Sequence, residues 1–298
     1  ELNAMRVQDI VSEITAGLRA AEIPSPRLEA ELLCALALKT TRLAITVHGG
    51  RELSAEEEKE CRRLAGKRGQ GVPMAYLAGS REFYGRDFLT EPGTLIPRPE
   101  TEILVEELLE KIPARSSGWF ADIGTGTGCI GITLALERPG MRGILLEKSP
   151  AAAQVAEKNR KRLGASNVRV ILGDLFSAPL RRESFDAVAS NPPYIGEEEK
   201  KDVMPAVLRY EPREALFSED EGLRHLGGVL KLAARCLKRG GIVAVEHGWH
   251  HPREYISVVT VHGESKTAWQ ATPPGPTGET VKISYRTHKS LAKGREFL

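Results

Sequence analysis

The sequence predicts an α/β fold: an open, mostly parallel sheet with helices on both faces, preceded by a small all-helical domain. Three observations carry this. Beyond Trp119, short apolar runs alternate with helical segments, the pattern of repeated βα units. Over roughly the first 70 residues, apolar positions recur only at helical spacing. Between the two halves lies a stretch rich in glycine, proline and aromatics, "PMAYLAGSREFYGRDFLTEPGTLIPRPETE".

In the helical part, Val7, Ile10, Val11, Ile14, Leu18 and Ala21 form one apolar face. Ser25-Pro26 opens a second helix, with Ser25 expected as N-cap and Pro26 at the first helical position. Ser54-Ala55-Glu56-Glu57 is a capping-box pattern for a third. That helix ends in Arg62, Arg63, Lys67 and Arg68, read as a solvated face, and a glycine cluster at Gly69 and Gly71. The connector should form strands and turns, with Pro92-Gly93 as a turn signal. A helix is expected from about Pro99 to Lys111.

The alternating half predicts strands at Trp119–Ile123, Gly143–Glu147, Val168–Leu172, Phe185–Ala189 and Ile242–Glu246. Helices fill Cys129–Glu137, Ser149–Leu163 and Glu221–Leu237. A closing strand pair is expected at Val258–Val261 and Val281–Tyr285. The implied domains are 5–75 (helical), 76–98 (connecting hairpin) and 99–298 (sheet).

Bulk properties exclude several classes. The 298 residues carry a formal net charge of +2, which does not point to nucleic acid. No apolar run reaches membrane-spanning length, and the N-terminus lacks a signal pattern. Cys34, Cys61, Cys129 and Cys236 are scattered, so neither a disulfide framework nor a thiolate metal site is expected, and a reducing cytoplasm is the natural setting. His247, His250 and His251 lack carboxylate or cysteine companions at ligand spacing and predict no metal site.

Asp122-Ile123-Gly124-Thr125-Gly126-Thr127-Gly128 joins the first of these strands to a helix. Glycines there let the backbone approach a ligand, and ligands of open α/β sheets bind beyond the carboxyl ends of the strands. Glu147 ends the next strand, where it can accept hydrogen bonds from ribose hydroxyls. That acid suits NAD or S-adenosylmethionine. The extra anion, Asp122, is poorly suited to a pyrophosphate and acceptable near a cationic amino-acid moiety, which on charge favours the methyl donor over a dinucleotide. After the third strand, Asp174 could accept from an adenine amino group, and Leu175 or Phe176 could pack on the adenine ring.

The fourth strand runs into "SNPPYI". Two prolines cannot continue a core strand, because each lacks an N–H and fixes its φ. At a cofactor crevice the arrangement acquires a use. The Asn191 side-chain oxygen and the Pro192 carbonyl can each accept one hydrogen of a planar amide or exocyclic amine. Pro193 stiffens the loop, and Tyr194 can stack on the guest. The guest nitrogen would then face the methyl group, with positioning supplying most of the acceleration.

These residues resemble class I S-adenosylmethionine-dependent methyltransferases (Rossmann-like) of the amino-methylating kind. "IPRPETE" (Ile96–Glu102), "GDLF", "SNPPYI", "YEPREAL", "GLRHL" and "GGIVAVEHGW" are similar to the PrmC/HemK family, which methylates the glutamine of the Gly-Gly-Gln motif in peptide chain release factors. The resemblance implies S-adenosylmethionine as cofactor, with S-adenosylhomocysteine as product, and N-terminal helices that help dock a release factor. It implies Asn191, Pro192, Pro193 and Tyr194 at the catalytic corner. Asp122, Gly124, Thr125, Gly126, Thr127, Gly128, Glu147, Asp174, Leu175, Phe176 and Asn191 fall at the cofactor. The sequence departs from the family pattern at Glu147 (often Asp), Leu175 (often Trp), His250-His251 (often Gln) and the closing "HKSLAKGREFL". Alternatives sharing N-P-P-Y are methylation of a ribosomal-protein glutamine or of a nucleic-acid base; a non-catalytic binding module is a third.

Overall fold

The computed structural model describes residues 4–220, 222–247, 256–261 and 283–285, the last two segments by backbone alone. The chain divides into two compact units, Glu1–Gly79 with Pro205–Tyr210, and Ser80–Met204 with Glu211–Leu298.

The first unit is helical: α1 (Val7–Ala20), α2 (Pro26–Ala37), α3 (Arg42–Val47), α4 (Ala55–Gly69), α5 (Met74–Ala78) and the later α9 (Pro205–Tyr210). Its core is the predicted α1 face, Val7, Ile10, Val11, Ile14 and Leu18, packed against Leu33 and Cys34 of α2 and Cys61 and Leu64 of α4. The capping box at α4 forms: Ser54 accepts from the Glu57 N–H, and Glu57 accepts from the Ser54 N–H. Ser25 does not cap α2. It sits at φ 50° with no side-chain cap bond, and the fixed φ of Pro26 starts the helix instead. The periodicity missed α3, whose six residues are too short to show a face; Thr41 caps it. Ion pairs cover the basic end of α4, Arg62 with Glu13 and Glu58, and Arg63 with Glu60.

In the second unit a hairpin, β1 (Ser80–Phe83) and β2 (Arg86–Leu89), precedes α6 (Thr101–Lys111). The connector thus differs from the predicted strand-and-turn reading at Tyr76, which lies in α5. The hairpin buries Phe83 and Phe88 edge to face, 6.0 Å apart. The parallel strands are β3 (Gly118–Ile123), β4 (Met141–Glu147), β5 (Val168–Leu172), β6 (Phe185–Ser190) and β7 (Leu237–Glu246), with α7 (Cys129–Glu137), α8 (Pro150–Arg162), α10 (Arg213–Leu216) and α11 (Leu223–Cys236) between them. Antiparallel β8 (Ile256–Val261) and β9 (Ile283–Tyr285) complete the sheet, in the order β5-β4-β3-β6-β7-β8-β9. This is the predicted open α/β sheet. The segments "TPPGPTGE" and "HKSLAKGREFL", and His250 and His251, lie outside the described residues.

Side chains alternate across the sheet, so each strand feeds two cores. Phe120 joins α6 and α7 on one face, while Ala121 and Ile123 join α11 on the other. Cys129 to Ala135 of α7 are buried all round, which explains its continuous apolar sequence. Among the described residues no helix is long and apolar enough to cross a membrane.

Candidate active site

Strand order places the site. The chain runs outward from β3 to β4 and β5, then returns to add β6 and β7 on the other side, so the crevice opens between β3 and β6. Ile123 pairs with Leu146 on one side and Ser190 on the other, and Ser190 pairs with Val245. The residues that follow, Gly124, Glu147, Asn191 and Glu246, therefore line up along one edge. Ser190 ties the two sides, its hydroxyl donating to the Ile123 carbonyl at 2.7 Å.

On one side stands the glycine loop. Gly124 and Thr125 donate backbone N–H bonds to the Leu146 carbonyl. Gly124 and Gly126 have φ of +70° and +58°, a region L side chains rarely adopt, and the space a Cβ would fill at each is open. Gly128, at φ 86°, is the N-cap of α7. Glu147 holds the loop's shape, one oxygen accepting from the Gly126 N–H and the other from the Ser149 N–H, both at 2.8 Å.

Asp122 lies wholly inside the protein. Its Oδ2 accepts from the Thr125 hydroxyl at 2.5 Å and the Gly131 N–H at 2.9 Å, and its Oδ1 is buried without a partner among the described residues. Burial pushes its pKa up to about 6, against those two hydrogen bonds. The sequence missed Asn159 of α8. Fully buried, it donates to the Thr127 and Leu89 carbonyls and accepts from the Leu89 N–H, clamping the glycine loop to the hairpin. One asparagine in a basic, weakly amphipathic helix gives no signal of this.

Beyond β5, Asp174 accepts from the Phe176 N–H and pairs with Lys148, which lowers its pKa. Leu175 packs toward the α11 face, close to Gly228. The half-exposed Phe176 ring lies against His225 and beneath the Arg224 guanidinium.

On the other side of the crevice, Asn191 donates from Nδ2 to the Thr101 hydroxyl at 3.2 Å. Thr101 donates to Glu246 Oε2 at 2.6 Å, and the Tyr194 hydroxyl donates to Glu246 Oε1 at 3.3 Å. Burial pushes the Glu246 carboxyl up to about 7, with the Thr101 and Tyr194 bonds opposing. Burial and the Glu246 charge likewise raise the Tyr194 phenol. Pro192 is buried, and Pro193 half-buried, between Asn191 and Tyr194. Gly222 makes the loop's close approach possible, since a Cβ there would lie 2.1 Å from the Tyr194 carbonyl oxygen.

Distant segments thus converge. Glu211 of "YEPREAL", buried, accepts from the Ile96 N–H at 3.0 Å and pairs with Arg98 at 2.6 Å. It fixes the "IPRP" run from which Thr101 starts α6. The sequence marked this run by resemblance alone and gave Thr101 no role. The Glu246 carboxylate joins Thr101 to Tyr194.

Comparison with known proteins agrees with this architecture. Residues 9–79 match the PrmC N-terminal domain family, and residues 99–219 the methyltransferase small domain family. The release factor glutamine methyltransferase of Nitratidesulfovibrio vulgaris is 39% identical over 271 residues, 89% of this chain and 88% of that protein. The chain belongs to the release factor glutamine methyltransferase family. Relatives of the same name from Koribacter versatilis and Escherichia coli are 41% and 36% identical, covering 78% and 82% of this chain and 82% and 87% of their own lengths. In this methyltransferase, the residues of "IPRPETE", "NPPY" and "YEPREAL" that resemble the family are those that meet around Asn191 and Glu211.

Proposed function

We propose that the protein transfers a methyl group from S-adenosylmethionine to the side-chain nitrogen of the glutamine in the Gly-Gly-Gln motif of peptide chain release factors. The observation that carries this reading is Asn191, at the carboxyl end of β6, with its nitrogen engaged by Thr101. Its carbonyl oxygen accepts no hydrogen bond among the described residues, and an amide substrate needs such an acceptor.

The residues present fit the cofactor on three counts. The left-handed Gly124 and Gly126 leave space where a side chain would stand. Glu147 keeps spare lone pairs for ribose hydroxyls beyond its two backbone bonds. Asp122, buried behind the loop, holds Thr125 and Gly131 in place beneath it. Gly124, Thr125, Gly126, Thr127 and Gly128 would hold it, with Asp174, Leu175 and Phe176 at the adenine. Bound there, S-adenosylmethionine supplies a methyl group made electrophilic by a sulfonium.

An amide nitrogen is a weak nucleophile because its lone pair is delocalised. The chain's task is to grip both amide hydrogens, through Asn191 Oδ1 and the Pro192 carbonyl, and hold the nitrogen in line. Pro192 and Pro193 fix that carbonyl with little entropy left to lose. Tyr194, steadied by Glu246, packs on the amide plane. The two acceptors offset the positive charge that grows on nitrogen. The product then sheds a proton to solvent. The helical domain, 5–75, would dock the release factor, with 76–98 connecting it to the catalytic domain, 99–298. The setting is the cytoplasm, and no direct nucleic-acid contact is required.

The test is methyl transfer from labelled donor to purified release factor, to a ribosomal-protein substrate and to nucleic acid, with the modified residue located by peptide mass. Label on the Gly-Gly-Gln glutamine is expected. Label confined to nucleic acid or to the ribosomal protein would reject the proposal.

A further inference from the structure

We propose that Thr101 and Glu246 are positioning residues for the transfer: they hold the Asn191 side chain with its nitrogen toward Thr101, leaving its carbonyl oxygen as the acceptor for the substrate amide. This rests on the reading of Asn191 given above.

The supply of protons at Thr101 sets the orientation of Asn191. A threonine hydroxyl has one proton and two lone pairs. At Thr101 the proton is committed to Glu246 Oε2 at 2.6 Å, the shorter and charge-assisted bond. Only lone pairs are left to face Asn191, 3.2 Å away. The Asn191 amide must therefore turn its nitrogen to Thr101. The reverse orientation would set two acceptors against each other with no proton between them, and would leave a donor unmatched.

A carboxylate is the group that enforces this, because it accepts only. Tyr194 spends its own proton on the other oxygen, so both ends of Glu246 are occupied by donors. Thr101 and Glu246 are 2% and 4% exposed, which keeps water from substituting for either bond. Neither residue need touch the substrate.

The order of protons depends on the charge of Glu246. The groups that face it are Thr101 and Glu100 of the α6 segment, Asn191 and Tyr194 of the loop after β6, and Cys129 of α7; Arg98 acts on Tyr194. Protonated, Glu246 becomes a donor, the Thr101 proton is released, and Asn191 can be held either way round. Turnover should fall on the acid side as Glu246 takes up its proton, around pH 7.

The experiment compares wild type with Thr101→Val, Thr101→Ser and Glu246→Gln, measuring kcat, KM for release factor, cofactor affinity and thermal unfolding. Thr101→Val keeps the shape and loses the hydroxyl. Its kcat should fall about tenfold or more, as expected for a misoriented contact, with cofactor affinity unchanged within about twofold. Thr101→Ser should recover most of that loss. The acid limb of kcat should vanish in Glu246→Gln. Full kcat in folded Thr101→Val, failure of rescue by serine, or an acid limb persisting in Glu246→Gln would overturn the proposal while wild type still methylates release factor. Absence of methylation by wild type would instead overturn the functional reading beneath it.

Discussion

The two sides of the crevice are built on different length scales. On the glycine-loop side most contacts are local: Asp122 holds Thr125 and Gly131, three and nine residues away, and Glu147 holds Gly126 across 21, with Asn159 the exception, reaching Thr127 across 32 and Leu89 across 70. On the Asn191 side they are distant: Thr101 meets Asn191 across 90 residues and Glu246 across 145. Both sides carry a buried carboxylate raised by desolvation, Asp122 to about 6 and Glu246 to about 7. Yet Asp122 shapes a backbone, whereas Glu246 orders side chains. A binding loop tolerates local encoding, because its ligand reads backbone and open space. An orienting network needs acceptors and donors that no single segment supplies.

The difference can be broken experimentally. The largest effect is expected for Asn191→Ala, which should lower turnover at least about a hundredfold by removing an acceptor aligned with the reacting amide, while cofactor affinity measured by calorimetry stays within about twofold. Equal losses of turnover and cofactor affinity would mean the two sides are not separable.

Next comes pH. Glu246 has a folded-state pKa raised from 4.5 to about 7, so the folded protein retains a proton the unfolded chain has released. Stability therefore falls as pH rises from 4.5 towards 7. The full cost is on the order of 3 kcal/mol. Denaturant titrations across this window should show a shallower decline in Glu246→Gln. An unchanged slope would place the buried charge elsewhere.

Gly126→Ala should cost about 1–2 kcal/mol through the left-handed backbone alone. It should also weaken cofactor binding, because its methyl enters the open space beside the loop. A melt combined with cofactor titration separates the two effects. The smallest change is Ser54→Ala, expected to cost about 1 kcal/mol of the helical unit's stability by removing the α4 cap, with kcat unaltered.

Legibility follows the same divide. The alternation of strands and helices was readable because burial on both sheet faces imposes continuous apolar runs, as in Phe185–Ser190. The Ser54 cap was readable because its partners lie within one turn. Ser25 misled because the same residue type serves caps and left-handed turns, and only the backbone decides between them. Thr101, Asn159 and Glu246 were opaque as partners, since each is an ordinary polar residue whose bonds run to remote parts of the chain.

By itself the sequence determined the sheet's elements, the glycine loop after β3, the acid after β4 and the proline-stiffened amide after β6, since each is dictated by backbone stereochemistry or by neighbours a few residues away. Only the tertiary structure decided that Asn191 turns its nitrogen to Thr101, that Glu246 accepts from two hydroxyls, and that Glu211 anchors the run preceding α6. Hydrogen-bond direction among buried groups depends on which donors and acceptors meet once water is excluded, and that meeting exists only after the sheet has brought its strand ends together.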